Sequence, residues 1–148
     1  MSENVEDNAI AKVVNLLHDH LDIVNAKTLD LDVFQYLRRS IDDDRAFSDL
    51  VTTYLDSAEI LIESIQVAFV NKDASKFLIA AHSLKSTSAS IGAIKLSKIC
   101  RYFEKIGKTG EITISAEILK LLDDEYRAVT TPIQACVLAF MPELSQTN

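Results

Sequence analysis

The sequence is poor in the residues that bend or cross-link a chain. Its 148 residues include 3 Gly, 2 Pro, 2 Cys and no Trp, whereas folds built only from strands need many turns rich in Gly, Pro and Asn. Two cysteines are too few for a disulfide framework and are typical of a reducing compartment. Apolar residues make up 48% of the chain, which is enough for one helical domain with a core of its own.

The sequence shows no signal for secretion or for insertion into a membrane. No run of about 18 apolar residues is present, which predicts that the chain does not span a membrane. The first eight residues, Met1 to Asn8, are polar and acidic, unlike a secretory signal peptide. These absences, with the two cysteines, predict a cytoplasmic protein.

Charge is unevenly spread along the chain, whose net charge is −7. Residues 1–71 carry 5 basic and 14 acidic side chains, residues 72–108 carry 8 and 2, and residues 109–148 carry 2 and 6. A basic middle in an acidic protein indicates a surface for an acidic partner or a phosphate, although ordinary surface lysines give the same pattern. Binding to nucleic acid is disfavoured because a polyanion repels the protein as a whole.

Apolar residues recur at helical spacing nearly throughout. The pattern predicts helices at about 5–24, 31–41, 45–70, 73–90, 93–107 and from 115 onward, with N-caps at Asp42 to Asp44, Asp73 and Ser115. Gly107 and Gly110 are predicted to end the fifth helix, and Pro132 to kink or stop the sixth, which residues 133–140 continue.

Long helices joined by short turns pack antiparallel, so the predicted fold is all-α. The third to sixth helices form an up-down four-helix bundle with additional N-terminal helices. In this organisation residues 29–140 are the bundle domain, residues 1–28 cover it, and residues 141–148 are a flexible tail.

A helical wheel of the fourth helix separates a core face from an exposed histidine. Leu84 and Ser88 lie on the core face, while His82 points about 160° away from Leu84. Lys85 follows His82 by one turn and offers a fixed positive charge. The predicted docking surface around His82 consists of Leu78 and four small side chains: Ser75, Ser86, Ala89 and Ala93. By itself, a surface histidine beside a lysine is commonplace.

The residues that follow His82 make the site specific. The stretch Ala81-His82-Ser83-Leu84-Lys85, followed by Ser88, Gly92-Ala93, Leu96, Cys100 and Phe103-Glu104, resembles the signature of histidine-containing phosphotransfer (HPt) domains. The resemblance covers about residues 29–127. It implies that His82 accepts a phosphoryl group, that Lys85 stabilises it, and that Leu84, Ser88, Gly92 and Cys100 are structural, with Gly92 allowing tight packing of the helical hairpin. The family usually has Gly where this chain has Ser86, which bears on partner choice.

The resemblance predicts a phosphocarrier rather than an enzyme. His82 relays a phosphoryl group between the aspartates of response-regulator receiver domains, in a pathway that includes a sensor histidine kinase, often a hybrid one. The receiver supplies Mg²⁺, and the chain has no cofactor of its own, since it lacks the glycine-rich loops that bind nucleotides. No metal site is predicted, because His18 and His20 are two residues apart and face different sides of their helix. A monomer is the default.

Two alternatives remain open. One is a non-catalytic helical adaptor that binds a receiver or a partner helix without carrying phosphate. The other is the phosphoryl-accepting domain of a chemotaxis-type kinase. The start at Met1 and the polar end, Ser145 to Asn148, favour a standalone protein over that second alternative.

Overall fold

The computed structural model describes residues 2–146, and the side chains of residues 6–144 other than residue 16. Over that range the chain forms helices and no strand. The elements are α1 Ser2–Val24, α2 Leu31–Ile41, α3 Asp44–Val70, α4 Ala74–Ile91, α5 Ile94–Lys108, α6 Ala116–Phe140 and a short 3-10 helix, Pro142–Gln146. The predicted all-α class is confirmed.

Polar caps start the helices where the sequence predicts them. The carboxylates of Asp43 and Asp73 accept the backbone N–H groups of residues three positions later, and the hydroxyl of Ser115 does the same for Ile118. Asp30, which the sequence analysis did not single out as a cap, accepts the N–H groups of Asp32 and Val33 at the start of α2. Each cap is worth about 1 kcal/mol. Because the caps lie in connections of only a few residues, successive long helices must run antiparallel.

Four of the helices close into a bundle. α4 contacts α3 and α5, and α6 contacts both α5 and α3, so α3 to α6 surround one core. Its largest fully buried side chains come from every one of these helices and from α2: Phe34, Phe47, Ile65, Phe77, Leu84, Leu96, Phe103, Leu122 and Ile133. This is the up-down four-helix bundle that the sequence predicts.

Gly92 ends α4, but its close neighbours are not those of the hairpin. Its φ of +94° is left-handed, and its N–H and that of Ala93 bond back to the last turn of α4. A Cβ at Gly92 would lie 2.7 Å from the carbonyl oxygen of Asp30, and its three nearest atoms all belong to residues 30–34. Gly92 therefore lets the start of α2 approach the bundle, whereas the resemblance assigned it to packing within the hairpin.

The glycine that brings α4 and α5 together is Gly107. A Cβ there would lie 2.9 Å from Cβ of Leu78 and 3.2 Å from the carbonyl oxygen of Ala74. The fifth helix ends close to where Gly107 and Gly110 predict its end: α5 runs one residue past Gly107, to Lys108, and Gly110 follows with a left-handed φ of +82°. α6 runs through Pro132 to Phe140, so residues 133–140 continue the sixth helix as predicted and the proline does not stop it.

The ends of the chain attach to the bundle in different ways. α1 contacts α5 through the ion pairs Asp19–Lys105 and Asp22–Lys98. At the other end Met141 is buried, and residues 147 and 148 of the predicted tail lie outside the described residues. That residues 1–28 cover the bundle, and the other domain boundaries, stay predictions. No helix within the described range is long and apolar enough to cross a membrane.

Candidate functional site

His82 lies in the middle of α4 and faces solvent. Its side chain is 60% exposed, whereas Ala81 and Leu84 on either side are fully buried. The exposure agrees with the helical wheel, since a core face fixed at Leu84 leaves His82 on the opposite side. A long helix packed against two neighbours holds the imidazole at a defined position.

A buried carboxylate from α5 meets His82. Glu104 is only 6% exposed, and its Oε1 lies 3.2 Å from Nδ1 of His82. Its Oε2 lies 2.6 Å from Nζ of Lys85, and Nζ of Lys108 is 3.3 Å from Oε1. We call these four residues, His82, Lys85, Glu104 and Lys108, the histidine cluster.

Glu104 is ionised throughout the physiological range of pH. Burial alone raises the pKa of a carboxyl group. Here the contacts with Lys85, His82 and Lys108 outweigh burial and lower the pKa of Glu104 to about 2. A carboxylate in that state accepts hydrogen bonds and cannot donate them.

The state of Glu104 fixes which nitrogen of His82 carries the proton. Because the carboxylate can only accept, Nδ1 of His82 must hold a hydrogen and donate it to Oε1. In the neutral imidazole the lone pair then lies on Nε2. Nε2 is therefore the nitrogen available as a nucleophile on this exposed side chain.

The side chain of Lys85 forms an ion pair and does not extend freely into solvent. The sequence predicts a cation one turn from His82, and the structure pairs that cation with Glu104. Lys108 adds a second cation, 63% exposed, that the sequence analysis did not single out. Glu104 could have been noticed in the sequence even without the family motif. It is one of only two acidic residues in the basic segment 72–108.

Three of the five residues predicted to form the docking surface are exposed to solvent. Ser75, Ser86 and Ala89 are exposed, and Leu78 is half-buried against α5. Ala93 is fully buried, so its assignment to this surface is wrong. The helical wheel was extended past the end of α4, where the left-handed turn at Gly92 directs the chain back into the bundle. That the exposed members dock a partner stays a prediction.

The residues predicted to be structural lie in the core. Ser88 is fully buried, and its hydroxyl lies 2.7 Å from the hydroxyl of Tyr54. Cys100 is fully buried as well, and burial raises the pKa of its thiol, so it is unsuited to act as a thiolate nucleophile. Among the described side chains, no group of three or more His, Cys, Asp or Glu is placed to hold a metal ion.

The pKa of Glu104 predicts how stability changes in acid. A carboxyl group whose pKa is lower in the folded than in the unfolded chain stabilises the fold above its unfolded pKa. We therefore expect about 2–3 kcal/mol of unfolding free energy to be lost as pH falls from about 4.5 towards 2. Glu104→Gln should lower stability by a similar amount at neutral pH, and its deficit should shrink in acid.

Urea unfolding of both proteins at several pH values measures that deficit. Asp123→Asn is the matched control, because Asp123 pairs with Arg127 on the surface of α6 and such pairs contribute about 0–1 kcal/mol. A Glu104→Gln deficit that is the same at every pH would show that the carboxylate is not the group that titrates.

An exposed histidine on the fourth helix of an antiparallel helical bundle points to the class of helical phosphotransfer domains. The family model of the Hpt domain matches residues 49–131, which is more than half of the chain. The chain belongs to the Hpt domain family, and histidine phosphotransfer is the function of that family.

Known proteins agree with this assignment. "Multistep phosphorelay regulator 1" of Schizosaccharomyces pombe is 33% identical over 105 residues, which cover 70% of this chain and 35% of that protein. The chain thus spans about a third of the length of this curated relative.

Solved structures share the fold. Histidine-containing phosphotransfer protein B of Pseudomonas aeruginosa superimposes with a TM-score of 0.71 at 23% identity, over 78% of this chain and 98% of that one. A putative histidine-containing phosphotransfer protein from rice gives 0.66 at 22% identity, over 88% and 94%. The HPT domain of a sensor hybrid histidine kinase from Shewanella gives 0.58 at 22%, over 76% and 94%.

Proposed function

We propose that this chain relays a phosphoryl group between aspartates of receiver domains and carries it on Nε2 of His82. The observation that carries the proposal is the hydrogen bond from Nδ1 of His82 to the ionised Glu104. It leaves a lone pair on the exposed nitrogen and holds the ring in one orientation. A surface histidine without such a partner interconverts between tautomers and rotamers.

In the proposed transfer, Nε2 attacks the phosphorus of an aspartyl phosphate on the partner. The N–P bond forms as the P–O bond to the aspartate breaks, and the aspartate leaves as a carboxylate. The ring retains the hydrogen on Nδ1 and gains positive charge, which the carboxylate of Glu104 stabilises at close range. The reverse reaction uses the same atoms, so the chain both accepts and donates the group.

Lys85 and Lys108 would stabilise the phosphoryl group once it is attached. Each is paired with Glu104 in the unphosphorylated protein, and each side chain is long and partly exposed. The phosphoryl oxygens offer a second set of anionic acceptors close to the same carboxylate. Movement of a lysine from one acceptor to the other keeps its charge compensated throughout.

The proposed partners are receiver domains and a sensor histidine kinase. The name of the yeast relative places that protein in a multistep phosphorelay, and the Shewanella domain is part of a hybrid kinase. The basic segment 72–108, which contains the histidine cluster, would face the acidic pocket of a receiver and steer the encounter. We expect the receiver to supply the Mg²⁺ that phosphoryl transfer requires. Ser86, in the position where the family usually has Gly, would influence which receiver docks.

The direct test is transfer from a phosphorylated receiver domain in the presence of Mg²⁺. We expect label on this chain that is stable in base and labile in acid, as a phosphohistidine is, and return of the label when a second receiver is added. A non-catalytic adaptor would bind the receiver and acquire no label. Absence of label across a panel of receivers that do bind would favour the adaptor.

Variants of the two lysines should separate their contributions. We expect Lys85→Ala to lower the transfer rate about 10- to 100-fold, because it removes a cation one turn from the nucleophile. Lys108→Ala should have a smaller effect, since its side chain is more exposed and its contact with Glu104 is longer. Lys120→Ala, on α6, is the control for loss of one positive charge. Equal rates for Lys85→Ala and Lys120→Ala would contradict the role of Lys85.

A further inference from the structure

The first helix lies against α5 with acidic side chains. A carboxylate oxygen of Asp19 lies 2.9 Å from Nζ of Lys105, and Asp22 forms an ion pair with Lys98. In sequence, α1 carries 5 acidic and 1 basic side chains, a net charge of −4, and α5 carries 5 basic and 1 acidic, a net charge of +4. An acidic helix therefore covers part of a basic one.

Charge rather than apolar burial holds α1 in place. Ile23 is partly buried against the core, but the neighbouring apolar side chains Leu21 and Val24 are 55% and 54% exposed. Ion pairs that are partly exposed contribute about 0–1 kcal/mol each, and salt weakens them. The attachment of α1 to α5 is therefore weak enough to be reversible.

The chain that follows α1 is fixed to the bundle by contacts of its own. The N–H of Lys95 donates to the carbonyl oxygen of Lys27. The hydroxyl of Thr28 donates to the carboxylate of Glu125, which is buried on α6. A movement of α1 can therefore pivot before residue 27 and leave the bundle unchanged.

The lysines that pair with α1 continue the surface of the histidine cluster. Lys105 follows Glu104 in α5, and Lys108 lies one turn further on. Arg101, one turn before Lys105, is exposed as well. At helical spacing Lys98, Arg101, Lys105 and Lys108 share one side of α5, and we call these four residues the basic face. The carboxylates of α1 compensate two of its four charges.

We propose that α1 shields the basic face and slows the encounter of the histidine cluster with an acidic receiver domain. The inference rests on the proposed function for the class of the partner. Release of α1 leaves Lys98 and Lys105 without their partners and moves a helix of net charge −4 away from the surface. Attraction between unlike charges acts mainly on the rate of association, so release should raise that rate.

Competition for the same lysines works in both directions. If α1 weakens the binding of a receiver by some factor, the bound receiver must weaken the attachment of α1 by the same factor. Contact with a receiver would therefore loosen α1, and α1 would return when the receiver leaves.

Hydrogen exchange of the full chain, alone in solution, tests the attachment. Asp19→Lys combined with Asp22→Lys places like charges against the lysines of α5. We expect the amides of residues 10–24 to exchange at least about 10-fold faster than in the wild type, because a helix without support frays. Unchanged exchange in α3 to α6 shows that the variant is folded. Asp56→Lys with Glu63→Lys, both exposed on α3, is the matched control. Wild-type exchange of α1 in the first variant would overturn the attachment by charge.

Stopped-flow association with a receiver domain tests the shield. We expect Asp19→Asn with Asp22→Asn to associate about 3- to 10-fold faster than the wild type at low ionic strength, and at the same rate in about 0.5 M salt. Asp56→Asn with Glu63→Gln removes the same charge far from α5 and should change the rate less than about twofold. Equal acceleration by the two pairs would reduce the effect to net charge and overturn the shield. Slower association of the α1 variant would make α1 part of the docking surface instead.

The two measurements separate this inference from the proposed function, because neither requires phosphoryl transfer. Receivers that bind the wild type and leave it without label would refute the relay, whereas the association rates would still decide the role of α1. An association rate that the α1 variant leaves unchanged at low salt would refute the shield while the relay stands.

Discussion

Glutamine in place of His82 will abolish phosphoryl acceptance, whereas the same substitution at His18 or His20 will leave it intact. The chain has 3 histidines, and only His82 contacts an ionised, buried carboxylate among the interactions of the described residues. Glutamine is polar and of similar reach, but its amide nitrogen has no lone pair suited to attack. We expect the rate of labelling by a phosphorylated receiver to fall at least about a thousandfold, as loss of a nucleophile does elsewhere.

The matched variants make this result interpretable. His18 and His20 are exposed on α1, so their substitutions should alter unfolding free energy by no more than about 0.5 kcal/mol. His82→Gln also changes a contact of the buried Glu104, so its unfolding free energy is measured beside the label. A phosphorylation assay that follows receiver and chain together shows whether the label stays on the receiver when His82 is absent. Label on the His82→Gln protein at the wild-type rate would move the acceptor to another residue.

Alanine at Gly92 will destabilise the fold by about 2–3 kcal/mol, which is the largest loss we expect from adding one methyl group. Two costs combine at this position. The φ of +94° is unfavourable for any residue with a Cβ. The new Cβ would also lie 2.7 Å from the carbonyl oxygen of Asp30. This backbone atom accepts the N–H of Phe34 in the first turn of α2 and cannot turn aside.

Gly110→Ala separates these two costs. Gly110 also has a positive φ, +82°, but a Cβ there meets nothing within 4 Å. Its substitution should cost about 1 kcal/mol from backbone strain alone. Urea unfolding of the two variants measures the difference. If both lose the same free energy, the close approach of α2 to Gly92 contributes nothing to stability.

Much of the fold could be predicted from the sequence because its signals are local. The bounds of α2 follow from apolar residues at helical spacing between Leu31 and Ile41, and α4 begins after the cap at Asp73. The exposure of His82 follows from the burial of Leu84, because both lie on the same regular helix. The helical wheel of α4 gave the wrong exposure for Ala93, because the left-handed Gly92 ends the helix before that residue.

The contacts that complete the site are not local. Glu104 is 22 residues from His82, and no periodicity in either helix shows that α4 and α5 pack in the register that joins them. That register depends in part on Gly107, whose missing side chain admits Leu78; the sequence shows a glycine near a helix end and does not show what approaches it. For the same reason the pairing of Lys85 was missed, although its place one turn from His82 was correct.

The central claim is that Glu104 holds the proton on Nδ1 of His82 and so directs the phosphoryl group to Nε2. Phosphorus and nitrogen NMR of the wild-type protein, labelled with ¹⁵N in its histidines and phosphorylated by a receiver, tests it most directly. We predict one phosphohistidine, with coupling from phosphorus to Nε2 of His82 and a hydrogen retained on Nδ1. A phosphoryl group on Nδ1, or on any residue other than His82, would contradict the account.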